Sequence, residues 1–323
     1  MRPSLFILLI LCTLPIRAEF SRAFLDEQPF ATVVTADHVE IAYKDIGTPD
    51  QPAVVLIMGL GASHTLWGDA FVGGVRDAGY RVIMLDNRDV GASGKFDAWG
   101  EPTLWWQLLK NQLGFEVDAP YLLNDMANDT IAVMDALGIE QAHIVGASMG
   151  GMIAQIVAAR YPDRSTSLVS IMSTTGAPHL PAASSDASSQ IQKLANNDAE
   201  DDLTGRMRAR GFFPASIPRQ LMAIIKTGDR SAEVAAINVP TLVLHGADDT
   251  LLPPEHGKHT ASLIKDSTFK IFEGMGHNIP EPVMPEVIDM MVEQFDSMRQ
   301  SVDASPAAAM PDDASNLNPL PAR

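Results

Sequence analysis

Ala142-His143-Ile144-Val145-Gly146-Ala147-Ser148-Met149-Gly150-Gly151-Met152-Ile153-Ala154 is the stretch whose reading decides the fold. A short apolar run, Ala142–Val145, has the length and composition of a buried strand. Gly146-Ala147-Ser148-Met149-Gly150 then reverses the chain, and Met149–Tyr161 continues with helical spacing until Pro162. A serine on so tight a strand-to-helix turn needs neighbours without bulky Cβ substituents, which the glycines supply. The helix that follows offers its free backbone N–H groups to a developing negative charge. As a bare pattern, Gly-x-Ser-x-Gly arises by chance in about one chain in ten of this length. Between a strand and a helix it marks a nucleophile.

Outward from this turn, strands and helices alternate. Thr32–Thr35 and Val39–Tyr43 read as a hairpin around Ala36-Asp37, and Ala53–Met58 and Arg81–Leu85 as all-apolar buried strands. Trp67–Tyr80 and Tyr121–Leu137 have helical periodicity, and Ser167–Met172 reads as a strand. The pattern returns at Pro240–Leu244 (strand), Glu255–Ile264 (helix), Thr268–Phe272 (strand) and Pro285–Met298 (helix). Such alternation predicts an α/β fold: a mostly parallel sheet with helices on both faces. Two stretches break it. Gly176–Ile237 shows no clear strand and reads as a small inserted cap, and Phe96–Pro120 is a shorter excursion holding Trp105-Trp106.

A nucleophilic serine needs a base and a group that orients the base. Strand Thr241–Leu244 ends in His245-Gly246-Ala247-Asp248-Asp249, where either aspartate can face the serine's sheet edge. Strand Thr268–Phe272 ends in Gly274-Met275-Gly276-His277, and a histidine flanked by glycines in a loop is seldom core filling. The order serine, carboxylate, histidine along successive strand ends is the one this architecture uses. Of the other histidines, His143 begins a strand and His245 ends one and turns inward. His38, His179, His256 and His259 read as loop or surface residues.

Here the sequence resembles the α/β-hydrolase superfamily over about Thr32 to Phe295. The resemblance rests on Met58-Gly59-Leu60-Gly61, Asp86–Ser93, Gly146–Gly151, His245–Pro253 and Gly274–His277. It implies a Ser148–His277–Asp249 triad, because the pattern Gly-x-x-Asp-x-x-x-Pro selects Asp249, with Asp248 as the alternative. It also implies an oxyanion hole from the backbone N–H groups of Leu60 and Met149. The chain departs from the family twice. Met58-Gly59 stands for the usual His-Gly, which leaves a backbone donor intact. Asp89 stands for the glycine of the usual Asp-x-Arg-Gly turn. That variant, with His256-Gly257-Lys258-His259 and Gly274–His277, resembles the branch containing aclacinomycin methylesterase. The activity implied is carboxylic-ester hydrolysis through an acyl-enzyme, on small neutral or apolar esters, without metal or cofactor. A cofactor-free haloperoxidase or perhydrolase, or a lipase, would use the same triad, and a binding protein on this fold often lacks one of its members. Candidate substrate contacts are His64, near the oxyanion loop, and Trp105, Trp106, Phe212 and Phe213. For the aromatic residues, packing between cap and sheet is the alternative.

The 323 residues carry 40 acidic and 23 basic side chains, a net charge of −17 that repels phosphate backbones and excludes nucleic acid as a natural partner. Arg206, Arg208 and Arg210 read as a solvated helix face. Leu5–Leu11 is too short to span a bilayer and, after Arg2 and before Pro15, suits a signal peptide. Cleavage is expected after Ala18, or as late as Ala23. A lipobox ending at Cys12 is the rival, against which Leu11 is too large. Removal of residues 1–18 takes away Cys12, the one cysteine, and leaves no integral membrane span. The expected organisation is leader, hydrolase domain over 24–300 with the cap at 176–237, and a Pro- and Ala-rich disordered tail over 301–323. The expected location is periplasmic or extracellular. Oligomeric state is open.

Overall fold

A computed structural model describes residues 21–195 and 202–303. The leader assigned to 1–18 and most of the tail, from 304 on, lie outside the described residues. The chain runs α1 (Ala23–Glu27), β1 (Ala31–Val34), β2 (Glu40–Ile46), β3 (Ala53–Ile57), α2 (Gly68–Asp77), β4 (Arg81–Leu85), α3 (Leu104–Gln112) and α4 (Leu123–Ala136). It continues with β5 (Ala142–Ala147), α5 (Met149–Arg160), β6 (Ser165–Ile171), α6 (Ser185–Ala195), α7 (Asp202–Ala209), α8 (Ile217–Thr227) and α9 (Ser231–Val234). It ends with β7 (Thr241–Gly246), α10 (Glu255–Leu263), β8 (Thr268–Phe272) and α11 (Met284–Asp303). The eight strands form one sheet in the order β1-β2-β4-β3-β5-β6-β7-β8, with β1 and β2 antiparallel and the rest parallel.

The central strands are apolar throughout because both of their faces are covered. Along β3, Ala53, Val55 and Ile57 join the core built with α4 and α5, while Val54 and Leu56 join the core built with α2 and α11. This period of two sends successive side chains into opposite layers. The expected elements are all present, with ends shifted by a few residues. His64–Trp67 forms a 3-10 turn ahead of α2, and Tyr121 lies outside α4. The last helix runs to Asp303, five residues past the expected Met298 and three into the expected tail. Among the described residues, 176–237 contains helices and no strand. None of the described helices is long and apolar enough to cross a membrane.

His143 opens β5 and is 2 % exposed, its Nδ1 2.8 Å from Ser167 Oγ and its ring 4.2 Å from that of Phe295. Burial pushes its pKa down to about 4. A histidine with a depressed folded pKa is neutral in the fold and takes up a proton more readily when unfolded. Its stability contribution is therefore complete above the unfolded value and is lost as pH falls toward the folded one. Between about pH 6.5 and 4, this ring removes up to about 3 kcal/mol of stability. Urea unfolding across that range should show the slope, and His143→Gln should flatten it.

Candidate active site

Ser148 sits between β5 and α5 at φ 57°, ψ −121°, a conformation unfavourable for a residue with a Cβ. The surroundings enforce it. A Cβ on Gly146 would lie 2.1 Å from the Gly150 carbonyl oxygen, and one on Gly150 would lie 2.0 Å from that of Ile57. The glycines thus permit the turn to fold against both its own helix and β3. Ser148 N–H donates to the Ile171 carbonyl at 2.9 Å, and its own carbonyl accepts from Ser173 Oγ at 2.8 Å.

His277 Nε2 lies 2.8 Å from Ser148 Oγ, and His277 Nδ1 lies 2.8 Å from Asp249 Oδ2. Asp249 is buried, and its Oδ1 accepts the Leu251 and Leu252 N–H groups, each at 2.9 Å. Burial opposes the Asp249 charge, but hydrogen bonds from His245 and His277, the His277 charge and the Leu252 N–H hold its pKa well below the usual carboxylate range. An acceptor ionised at every working pH fixes the imidazole with Nδ1 protonated, leaving Nε2 free to accept the serine proton. The loops carrying the two residues are clasped together. Asp248 N–H donates to the Met275 carbonyl at 3.0 Å, and a Cβ on Gly246 would lie 2.1 Å from that oxygen. Asp248 itself faces solvent, so the geometry selects Asp249.

The oxyanion loop follows β3. Gly59 packs on Ser148, where a Cβ would stand 3.1 Å from the serine Cβ. Gly61 N–H donates to Gln220 Oε1 at 2.7 Å, and Ala62 N–H to the Gly59 carbonyl at 3.2 Å. Gly151 and Met152 N–H groups are taken by the Ser148 carbonyl. No partner is found for the Leu60 or Met149 N–H among the described residues; Met149 directly follows Ser148, and Leu60 follows the Gly59 that packs on it. The cap closes on this loop through backbone pairing: Ser63 N–H donates to Gly211 at 2.9 Å and Phe213 N–H to Gly61 at 2.7 Å. Half-buried Phe212 and Phe213 are thereby brought to the site's edge.

Three sequence expectations do not hold. His64 is 2 % exposed, with Nδ1 donating to Asp86 Oδ1 at 2.7 Å and its ring against Phe30, so it braces the turn after β4 and offers no face to a substrate. Trp105 and Trp106 are 65 % and 48 % exposed, their rings set edge to face at 5.8 Å, and neither is packed between cap and sheet. Their helix turns them outward because its buried residue is Gln107. His256 is buried, not at the surface, with its ring nitrogens 2.6 Å from Thr174 Oγ1 and 2.9 Å from the Pro181 carbonyl. His245 turns inward as expected, its Nε2 donating to the Leu252 carbonyl at 2.7 Å and standing 3.5 Å from Asp249 Oδ2. Arg208 and Arg210 are exposed as expected, while the Arg206 side chain lies outside the described residues.

Arg219 and Gln220, on α8, escaped the sequence reading. Gln220 links the Gly61 N–H to the Arg88 carbonyl, spanning the oxyanion loop and the turn after β4. Arg219 forms a two-pronged pair with Asp89, 2.5 and 2.9 Å, both side chains fully enclosed, and reaches Asp97 at 3.1 Å. Asp89 has φ 77°, a left-handed conformation that explains the family's glycine. Its carboxylate also accepts Tyr121 Oη at 3.0 Å and Phe96 N–H at 3.1 Å. An acid at a glycine position was the available signal that a cation must approach from elsewhere in the chain.

The comparisons with known proteins agree with the fold. A family model described as alpha/beta hydrolase fold matches residues 52–210. Rhodomycin D methylesterase DauP of Streptomyces sp. strain C5 is 27 % identical, the match covering 77 % of this chain and 92 % of the relative. The 2-hydroxy-6-oxo-6-phenylhexa-2,4-dienoate hydrolase of Comamonas testosteroni is 28 % identical, covering 73 % and 84 %. The solved structure of esterase RhEst1 from Rhodococcus sp. ECU1013 superposes with a TM-score of 0.61 at 21 % identity, covering 83 % of this chain and 99 % of that one, a likeness of fold. The chain is an enzyme of the α/β-hydrolase fold. Within that class it resembles the aclacinomycin methylesterase-like branch, in which the rhodomycin D methylesterases stand.

Arg219→Met should cost about 3–5 kcal/mol in urea unfolding, because it leaves the Asp89 charge buried without its partner. Asp89→Gly combined with Arg219→Met should recover most of that loss, since glycine suits the backbone and no buried charge remains.

Proposed function

We propose that the chain is a serine carboxylic-ester hydrolase that works through an acyl-enzyme. The observation that carries the reading is the unbroken relay Ser148 Oγ–His277–Asp249, with both links at 2.8 Å. In the first half-reaction Ser148 Oγ bonds to the ester carbonyl carbon while His277 Nε2 takes the hydroxyl proton. The carbonyl π electrons move to oxygen, and Leu60 and Met149 N–H groups hold the resulting anion. Collapse of this intermediate breaks the bond to the alcohol oxygen, which leaves with the proton from His277. In the second half, His277 takes a proton from water as it attacks the acyl carbon. The acid departs and Ser148 regains its proton. None of these steps calls on a metal or cofactor.

Small neutral or apolar esters suit a site without a free cation among the relay and oxyanion residues. The ester-hydrolysing relatives support the bond type: DauP is named a methylesterase and RhEst1 an esterase. Phe212 and Phe213, at the edge where the cap meets the oxyanion loop, are the proposed substrate contacts. Export is part of the same proposal. Ser21 Oγ donates to Asp69 at 2.5 Å and α1 begins at Ala23, so cleavage after Ala18 leaves the first described contacts whole.

Ser148→Ala should lower turnover of a short-chain chromogenic ester by roughly 10⁴-fold or more, and Asp249→Asn by about 10⁴-fold. A variant Ser148→Ala that keeps the parent rate would overturn the proposal. N-terminal sequencing of protein recovered from the exported fraction should begin at Glu19.

A further inference from the structure

Nine large apolar side chains are exposed among the described residues, and seven of them fall between Trp99 and Phe115. They are not scattered. On α3, Trp105 (65 % exposed), Trp106, Leu108 and Leu109 share one broad face, and Leu113 and Phe115 extend it past the helix end. At 150–250 Å² per aromatic side chain, the patch exposes on the order of 500 Å², more than a lone monomer surface ordinarily carries without a use. The helix is inside out: its buried residue is Gln107, whose amide donates to Asp118 Oδ2 at 3.2 Å and whose carbonyl oxygen accepts Asp118 N–H at 3.2 Å. Gly114, at φ 79°, closes the end, with Phe115 N–H donating to the Lys110 carbonyl at 2.9 Å. The apolar face is thus presented by a clasped, capped helix.

We propose that this face docks on the surface of a zwitterionic lipid layer. Charge decides the occupant. From Pro102 to Phe115 there is no acidic residue, and the one cation, Lys110, is held by Asp118 at 2.9 Å, so the apolar face itself is neutral, with exposed Glu101 and Glu116 at its two ends. A second copy of the chain would bring another −17 against the first, and an anionic membrane would be repelled in the same way. A zwitterionic surface carries no such opposition, and tryptophan and leucine are the side chains that settle at its headgroup boundary. The patch also lies on the cap side. Arg219 binds the Gly100 carbonyl at 3.3 Å and Asp97 at 3.1 Å, and the adjacent Gln220 holds the oxyanion loop. Docking there sets α8, which holds both this segment and the Gly61 loop, beside the lipid. The proposal does not depend on Ser148 being a nucleophile, and its readouts are independent of activity.

Trp99, Trp105 and Trp106 are three of the four tryptophans, and the fourth, Trp67, is 4 % exposed, so intrinsic fluorescence reports on the patch. The chain from Glu19, the proposed mature form without the apolar leader, is mixed with phosphatidylcholine vesicles whose acyl chains carry bromine near the headgroup. Quenching, a shift to shorter wavelength and co-sedimentation are expected, with weaker binding when phosphatidylserine is included. The triple variant Trp105→Gln, Leu109→Gln, Leu113→Gln should bind about 100-fold or more weakly while keeping the parent's thermal midpoint. If that variant does not fold, bromolipid quenching of the parent decides alone. No quenching of the parent overturns the proposal. So does a parent dimer that the variant converts to monomer. Tryptophan emission already at short wavelength in buffer and unmoved by vesicles overturns it too.

Discussion

The close approach of the Gly146–Gly150 turn to β3 is the contact on which the rest of the site depends. Gly150 lies so near the Ile57 carbonyl that no side chain fits, and Ser148 is held at φ 57° as a result. From this constraint the remaining geometry follows. Gly59, just past β3, comes against Ser148, and α5 begins at Met149, the next residue. His277, in the loop after β8, meets the serine oxygen at 2.8 Å. The cost of the strained serine is of the order of 1–3 kcal/mol and is offset by the two fully buried cores flanking the sheet.

A second layer of support comes from the cap. Arg219 and Gln220 are neighbours on α8, one neutralising Asp89 and the other holding Gly61 and the Arg88 carbonyl. A family position ordinarily filled by glycine has become an acidic one. The cost of enclosing that carboxylate is met by an arginine 130 residues away, which ties the cap to the sheet. The same helix reaches the excursion that carries α3, so the oxyanion loop, the cap and the exposed apolar face form one mechanical unit.

Much of this was legible in the sequence, for physical reasons that differ by residue. Ser148 and His277 each sit in a local signature, a turn with glycines at a strand end, so spacing pointed to them, whereas Asp249 was separated from Asp248 only by the family resemblance. The alternation of short apolar strands with periodic helices gave the sheet and both its layers. Arg219 and Gln220 carry no local signature, because their partners lie far away in sequence. Trp105 and Trp106 were misjudged because periodicity shows that a helix has an apolar face without showing which way it turns. His64 was placed near the oxyanion loop correctly, but its ring is claimed by Asp86, a partner 22 residues on.

The central claim is that the strained serine becomes covalently acylated. Mass spectrometry of the protein quenched in acid during turnover of an ester with a slowly hydrolysed acyl group tests it most directly. The account predicts one added acyl mass on the peptide carrying Ser148, absent from Ser148→Ala and persisting longer when Asp249 is replaced by Asn. An acyl group mapped to any other residue, or steady turnover with no acylated peptide in the parent under conditions that trap a control serine esterase, would contradict it.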